Sequence, residues 1–354
     1  MRERCHNAFF SRSRVRGFAA CGSRSWALLL CIAALSAGVA LPARAQEFVV
    51  PANGDNVVGG LQWVSASYED TLLDIARRFN VGYREIRQAN PRVDVWLPGE
   101  GTEVLIPSRY ILPDAPREGI VINLSEMRLY YFPDPAPGHT KRVITHPISI
   151  GRVDWSTPIA DTRVAKKVLD PTWYPPASIR AEYAERGEPL PAKVPPGPDN
   201  PLGRFALRLA LPGYLIHGTN KPYGIGMRVT HGCVRMYPED IETLFERVPV
   251  GTPVHIVNQP FKAGWRQGLL FLEAHPPEGN PTPDMLRDLT PAIRRVVAAT
   301  PERGRDDHVD WSRVKTVAEG MDGIPLPVSH RWRRTDEDEA MANARAARLP
   351  TQGP

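Results

Sequence analysis

Between Ile216 and Arg235 the chain runs IHGTNKPYGIGMRVTHGCVR, which sets two histidines and one cysteine in a glycine-rich stretch. A cysteine attacks a carbonyl as thiolate, and a free thiol with a pKa of about 8.5 needs a neighbouring base or cation to reach that form. His217 and His231 are the candidate bases. Gly232 leaves the flank of Cys233 without a side chain, so an acyl group can approach, with the amides of Gly232 and Cys233 as candidate oxyanion donors. Arg235, two residues beyond the thiol, shares its face if the segment is extended, where it suits a substrate carboxylate or lowers the thiol pKa. Two other readings stand beside this one. A lone cysteine is often a small buried apolar residue. A zinc site of His217, His231 and Cys233 finds no fourth ligand nearby, so neither metal nor cofactor is expected.

The elements that must position these residues begin well after the N-terminus. Residues 1–45 read as an export signal. A basic stretch (Arg2 to Arg24) precedes the apolar run Trp26–Leu41, and Ala43-Arg44-Ala45 has the form of a cleavage site before Gln46. The apolar run is shorter than the ~20 residues that span a bilayer, so no transmembrane anchor is expected after processing. This segment holds seven arginines and one glutamate, against +5 for the whole chain, which leaves the remainder near −1. The basic balance belongs to the signal, and composition makes no case for nucleic acid as a partner. Cys5, Cys21 and Cys31 lie in the same segment, so Cys233 is the one thiol expected in the exported protein.

Three zones follow. In residues 59–107, Leu72, Ile75, Ala76 and Phe79 have helical spacing, with Asp70 or Thr71 as cap. A second helix is predicted over Tyr83–Ala89, with strands at Leu61–Val64 and Glu103–Pro107. Residues 119–258 alternate short β-type runs (120–124, 128–132, 143–150, 163–168, 252–257) with turns, the pattern of a β-sandwich. A proline-rich stretch from Asp170 to Gly203 surrounds a short helix at 178–186; it reads as a semi-rigid flap over the site or as a plain surface insertion. In residues 259–330 Trp265-Arg266 and Leu269–Ala274 suggest a strand or a hairpin, and amphipathic helices are predicted at 282–300 and 309–320. A polar tail, 331–354, reads as disordered.

Ile216-His217-Gly218, a loop, and Thr230-His231-Gly232-Cys233-Val234-Arg235 resemble the signature of the L,D-transpeptidase catalytic domain, the YkuD type. Ile122-Asn123-Leu124-Ser125, Ser149-Ile150-Gly151, Thr157-Pro158, Asn200-Pro201-Leu202-Gly203 and Gly251-Thr252-Pro253-Val254 are further marks of that family. The sequence departs from it in having Thr230 for the commoner serine and a shorter loop from His217 to Thr230. Residues 59–107 resemble a LysM module, a small βααβ fold that binds glycan, and the combination is similar to the periplasmic ErfK/YbiS subgroup. The resemblance implies a mainly β protein: a β-sandwich-like catalytic domain, a βααβ LysM-like module and a mixed C-terminal appendix, located in the periplasm. It implies peptidoglycan stem peptides and glycan strands as partners. Cys233 would take the acyl group of a tetrapeptide stem as a thioester. The resolving amine would come from a second stem, giving a 3→3 cross-link, or from an outer-membrane lipoprotein; water would make the enzyme a carboxypeptidase. By the same analogy His217 is the acid–base residue, and His231 and Thr230 support the thiolate, with Gly218, Gly232 and Arg235 around them.

Strand spacing separates the two histidines further. If His231 and Cys233 lie on one extended strand, their Cβ atoms are about 7 Å apart, too far for a direct hydrogen bond. His217 ends a different strand and can reach the thiol across the sheet. It is then expected to carry the pH dependence of acylation between about 6 and 8.

Overall fold

Thr71 is the residue that starts the first predicted helix. Its Oγ1 accepts from the Asp74 amide (3.1 Å), while the Asp74 carboxylate accepts from the Thr71 amide (3.1 Å), a reciprocal capping box. Asp70, the alternative cap, instead accepts from the Ser67 amide and pairs with Arg78. The structure, a computed structural model, describes residues 45–277, 279–300 and 308–330. The expected export signal (but for Ala45) and the expected disordered tail lie outside the described residues.

The chain opens with β1 (Gln46–Val49), β2 (Val57–Ser65), α1 (Leu72–Arg78), α2 (Tyr83–Ala89) and β3 (Glu103–Ile111). β2 and β3 pair antiparallel from Val57↔Ile111 to Ser65↔Glu103; β2 is longer at both ends than the run predicted over Leu61–Val64, and β3 starts at Glu103 as predicted and runs on past Pro107 to Ile111. Leu72, Ile75 and Ala76 of α1 meet Ile86 of α2 and Val104 and Ile106 of β3 in one small core.

The next zone holds β4 (Gly119–Asn123), β5 (Arg128–Phe132), β6 (Arg142–Pro147), β7 (Ile150–Gly151), β8 (Ala160–Leu169), α3 (Ala177–Glu185), β9 (Phe205–Leu209), β10 (Leu215–His217), β11 (Arg228–Thr230), β12 (Val234–Arg235), α4 (Pro238–Arg247) and β13 (Pro253–Val257). The architecture is mainly β. Nine strands form one sheet in the order β1-β6-β5-β4-β13-β8-β9-β10-β12. Leu129 and Ile144 from one side of that sheet, Ile216 and Val234 from the other, and Ile241 and Leu244 of α4 share a single cluster, so the sheet curls around one core. Its second face is also covered: Val121, Tyr130 and Val143 pack against Val58, Tyr110 and Leu112. Burial on both faces is why β4 and β5 read as continuous apolar runs instead of alternating ones. The run predicted over 143–150 is interrupted after Pro147, leaving β6 and the short β7.

The appendix comprises the hairpin β14 (Phe261–Arg266) and β15 (Leu269–Ala274), then α5 (Pro283–Arg287), α6 (Thr290–Ala299), α7 (Trp311–Gly320) and β16 (Leu326–Pro327). The single helix expected over 282–300 is two, because Pro291 fits only the first turn of a helix and Asp288 is extended (ψ 105°). A buried ionic cluster joins the zones. Lys262 Nζ lies 2.8 Å from Glu126 Oε2, 2.8 Å from Glu273 Oε1 and 2.7 Å from the Ile111 carbonyl, with His275 Nε2 2.6 Å from Glu273. Glu126, Glu273 and His275 are the one group with metal-ligand spacing among the described residues, and the Lys262 ammonium fills the cation's place there. No described helix is long and apolar enough to cross a membrane.

Candidate active site

Two short strands set the face on which the chemistry lies. β10 and β12 pair in parallel, Ile216 opposite Val234 and His217 opposite Arg235. Ile216 and Val234 are buried in the sheet's core, so their neighbours His217 and Arg235 point to the opposite face. Cys233, two residues before Arg235, joins them there, with Sγ donating to the Gly213 carbonyl at 3.6 Å. An antiparallel bridge fixes β12 from its other side. Ser149 N donates to Arg235 O (2.8 Å) and Arg235 N to Ser149 O (2.9 Å).

His231 and Cys233 do not share a strand. β11 ends at Thr230, β12 begins at Val234, and Gly232 between them has φ 98°, a left-handed conformation that turns the chain. The expected common face of His231 and Cys233 is therefore lost. Two threonine hydroxyls hold the turn. Thr230 Oγ1 donates to Cys233 O (2.6 Å), and Thr157 Oγ1 donates to Gly232 O (2.9 Å) while accepting from the Gly151 amide (3.0 Å). The peptide plane puts the Cys233 N–H opposite the Gly232 carbonyl, so Thr157 directs that N–H away from itself.

The electrostatics differ from the simplest expectation. His217 is buried, and its Nδ1 donates to the Gly218 carbonyl at 2.7 Å. Desolvation, with the Arg235 charge second, lowers its pKa to about 3, so the imidazole is neutral at physiological pH. It cannot titrate between 6 and 8 as expected from sequence. Burial also pushes the half-buried Cys233 thiol up, against the opposing pull of the Leu215 backbone and the Arg235 charge. The resting pair is thus a thiol and a neutral imidazole. Arg235 has a buried Nε without a hydrogen-bond partner among the described residues. Gly218 packs under the site; a Cβ there would meet Ile241 Cγ2 at 3.1 Å.

His231 is held by the proline-rich segment. Its Nε2 lies 2.9 Å from Glu182 Oε2 on α3, and Arg152 makes a two-point contact to the same carboxylate (2.9 and 3.0 Å). Trp155 meets the His231 ring edge-on at 5.2 Å between centroids, and Tyr183 lies 6.5 Å away. Of the two readings of residues 170–203, the flap is the one this contact favours.

Sequence comparison places this arrangement among known proteins. The L,D-transpeptidase catalytic domain family, YkuD, matches residues 117–256. Over 294 residues the chain is 41% identical to the probable L,D-transpeptidase YcfS of Escherichia coli K12, covering 81% of this chain and 91% of that protein. The chain belongs to the L,D-transpeptidase family. It is 46% identical over 244 residues to the probable L,D-transpeptidase YbiS of the same strain (68% of this chain, 78% of that one). It is 39% identical over 293 residues to the probable L,D-transpeptidase ErfK/SrfK of Salmonella typhimurium (80% and 91%).

In this L,D-transpeptidase the site gathers one residue that the sequence marked without giving it a role, Thr157, and one that it did not mark, Glu182. Thr157 lies 75 positions before Gly232, and Glu182 49 positions before His231. Thr157 had a faint signal as part of a Thr-Pro pair. Glu182 had none, being one acid on a short polar helix.

Proposed function

We propose that Cys233 is the nucleophile of a peptidoglycan L,D-transpeptidase that works through a thioester. Cys233 Sγ attacks the carbonyl of the third residue, a diaminopimelate, in a tetrapeptide stem; its proton passes to His217 Nε2, and the Cys233 amide receives the developing oxyanion. The C–N bond to the terminal D-Ala then breaks, and His217 returns the proton to the departing amine. An acceptor amine attacks the thioester, loses a proton to His217, and restores the thiol. The observation that carries this reading is the β10–β12 register. It sets a buried, neutral His217, oriented by Gly218, on the face that bears Cys233 and Arg235. The unsatisfied Nε of Arg235 suits a stem carboxylate, where a charge-assisted hydrogen bond is worth about 1.5–3 kcal/mol.

The N-terminal module fits a glycan-holding role. Tyr68 and Trp96 are exposed (81% and 65%) on the two loops that flank the α1–α2 pair, and exposed aromatics suit the apolar faces of sugar rings. With the export-type N-terminus, this reading puts the enzyme in the periplasm, acting on sacculi, with a stem amine or a lipoprotein lysine as acceptor. Mass spectrometry of wall fragments after incubation with the protein tests it. Dimers linked 3→3, or stems joined to lipoprotein, are expected from the parent and not from Cys233→Ala. Tripeptides alone would reassign the enzyme as a carboxypeptidase, and no change in the fragments would refute the acyl-transfer reading.

A further inference from the structure

Gly82, between the two helices of the N-terminal module, sits backbone-to-backbone against Gly226 in the loop that leads to the nucleophile. A Cβ on Gly82 would lie 2.9 Å from Gly226 Cα; one on Gly226 would lie 2.3 Å from Tyr83 N and 2.7 Å from Gly82 Cα. The contact is sealed by hydrogen bonds from Tyr83 N to Ile225 O (2.9 Å) and from Arg84 N to Gly226 O (3.4 Å). Tyr83 and Arg84 open α2, where the first amides of a helix have no partner inside it. On its other side the same loop is held by Ser149, whose Oγ donates to Gly224 O (2.6 Å), and by Ile150 N, which donates to Met227 O (3.3 Å).

The loop passes directly into β11, and β11 into the Thr230–Cys233 turn. Among the described residues β11 pairs only with β7, at Arg228↔Ile150 and Thr230↔Gly151, with an irregularity between them. Such a short strand has little register of its own, so its height depends on what grips its entry. The rest of the module's docking is stiff. Arg128 pairs with Glu85 through two contacts of 2.8 Å, and Asn80 Nδ2 bridges both oxygens of Asp240 (2.7 and 2.8 Å). A rigidly seated module thus presents the α1–α2 turn to the loop as a fixed stop.

We propose that the α1–α2 turn, through Gly82 and Tyr83, is a positioning element of the active site, setting β11 and the Cys233 turn at their working height. This rests on the reading of Cys233 as the nucleophile, and it makes the module part of the catalytic apparatus besides any hold it has on glycan. The atoms in contact are backbone on both sides, so displacement cannot be absorbed by a rotamer. A shift of ~1 Å in a reacting group can cost ~10²-fold in rate.

The test uses full-length protein and two reagents on Cys233, followed by peptide mass spectrometry: a carbapenem, which needs the catalytic constellation, and iodoacetamide, which needs only the thiol. Gly82→Ala inserts a methyl wedge at an ordinary backbone conformation (φ −87°). Tyr83→Pro removes the N–H at a first-turn position that tolerates proline. Ile75→Val, in the module's own core, is the control for simple destabilisation. Gly82→Ala or Tyr83→Pro, in folded protein below its melting temperature, is expected to slow carbapenem acylation about tenfold or more and to change the iodoacetamide rate. Ile75→Val is expected to lower the melting temperature and leave both rates at the parent's value. Equal rates in all four proteins, or a loss in Ile75→Val as large as in Gly82→Ala, would overturn the inference. A parent that takes no carbapenem would sink the acyl-transfer reading instead, and the iodoacetamide rates would still decide the positioning role.

Discussion

His231 commits its Nε2 to Glu182, whose Oε2 lies 2.9 Å away on the helix of the proline-rich segment. The histidine two positions before the proposed nucleophile is thus tied to the helix Ala177–Glu185. Arg152 and then His231 hold the Glu182 carboxyl at about 2, below its ordinary 4.5. A carboxyl depressed on folding contributes its stabilisation in full above about pH 4.5 and loses it as pH falls towards 2. Hydrogen exchange of the Ala177–Glu185 amides, corrected for intrinsic rates, should therefore be slow at pH 6 and faster at pH 3. In Glu182→Gln it should already be fast at pH 6. Equal protection in both proteins at pH 6 would show that the contact does not hold the flap.

The neutral state of His217 fixes the form of the pH profile. Because its pKa is about 3, general base catalysis by His217 should give the parent a nearly flat acylation rate from pH 6 to 8. His217→Ala should lose ~10²- to 10⁴-fold and follow the thiolate fraction, rising about tenfold per pH unit below the raised thiol pKa. A parent rate with a full proton titration between 6 and 8 would contradict this. Linkage adds a second reading. The depressed pKa contributes stability in full above about pH 6.5 that is lost as pH falls through about 3, so His217→Gln should flatten the fall in urea midpoint over that range.

Thr157 is the second residue that the fold recruits. Thr157→Val keeps the shape but leaves the buried Gly151 amide and Gly232 carbonyl without their shared partner, which should cost about 1–3 kcal/mol in urea unfolding. Acylation should fall as well, since the Cys233 N–H loses its fixed direction. Thr157→Ser should restore the rate. Unchanged acylation in Thr157→Val would remove the hydroxyl from the site's geometry.

Lys262 tests the junction. Lys262→Met leaves Glu126 and Glu273 buried without their cation, and breaking a buried pair from one side typically costs ~3–5 kcal/mol. A single shifted urea transition, followed by both Cys233 alkylation and far-UV dichroism, is expected if appendix and catalytic sheet unfold together. A loss under about 1 kcal/mol would mean that the cluster does not weld the zones.

The helices Leu72–Arg78 and Tyr83–Ala89 were legible because capping and apolar spacing are properties of neighbouring residues. Of the two readings of 265–274, strand or hairpin, the structure has the hairpin, which starts earlier at Phe261 and turns at Gln267-Gly268 with positive φ at both. The expected helix over 282–300 failed at Pro291, where the apolar period continues but proline lacks the amide a helix interior requires. That nine of the strands join one curled sheet was not legible from the sandwich pattern, since strand runs do not state which strands pair or whether a sheet closes over its own core.

At the site, local order supplies the proposed nucleophile and the small residue beside it, while the turn that carries them appeared only in the fold. One cysteine follows a glycine whose φ of 98° few other residues adopt, with a threonine three positions before it to close the turn. Only the fold decides what those residues do. Parallel pairing of β10 with β12 sets His217 on the thiol's face, and Glu182 ties His231 to the helix Ala177–Glu185. Burial makes His217 neutral, and Gly82, 144 positions away, stops the loop at Gly226. The division is physical. Caps, turns and periodicity depend on residues within a few positions of one another, whereas desolvation, register and close backbone contact depend on what distant segments bring into the same few ångströms.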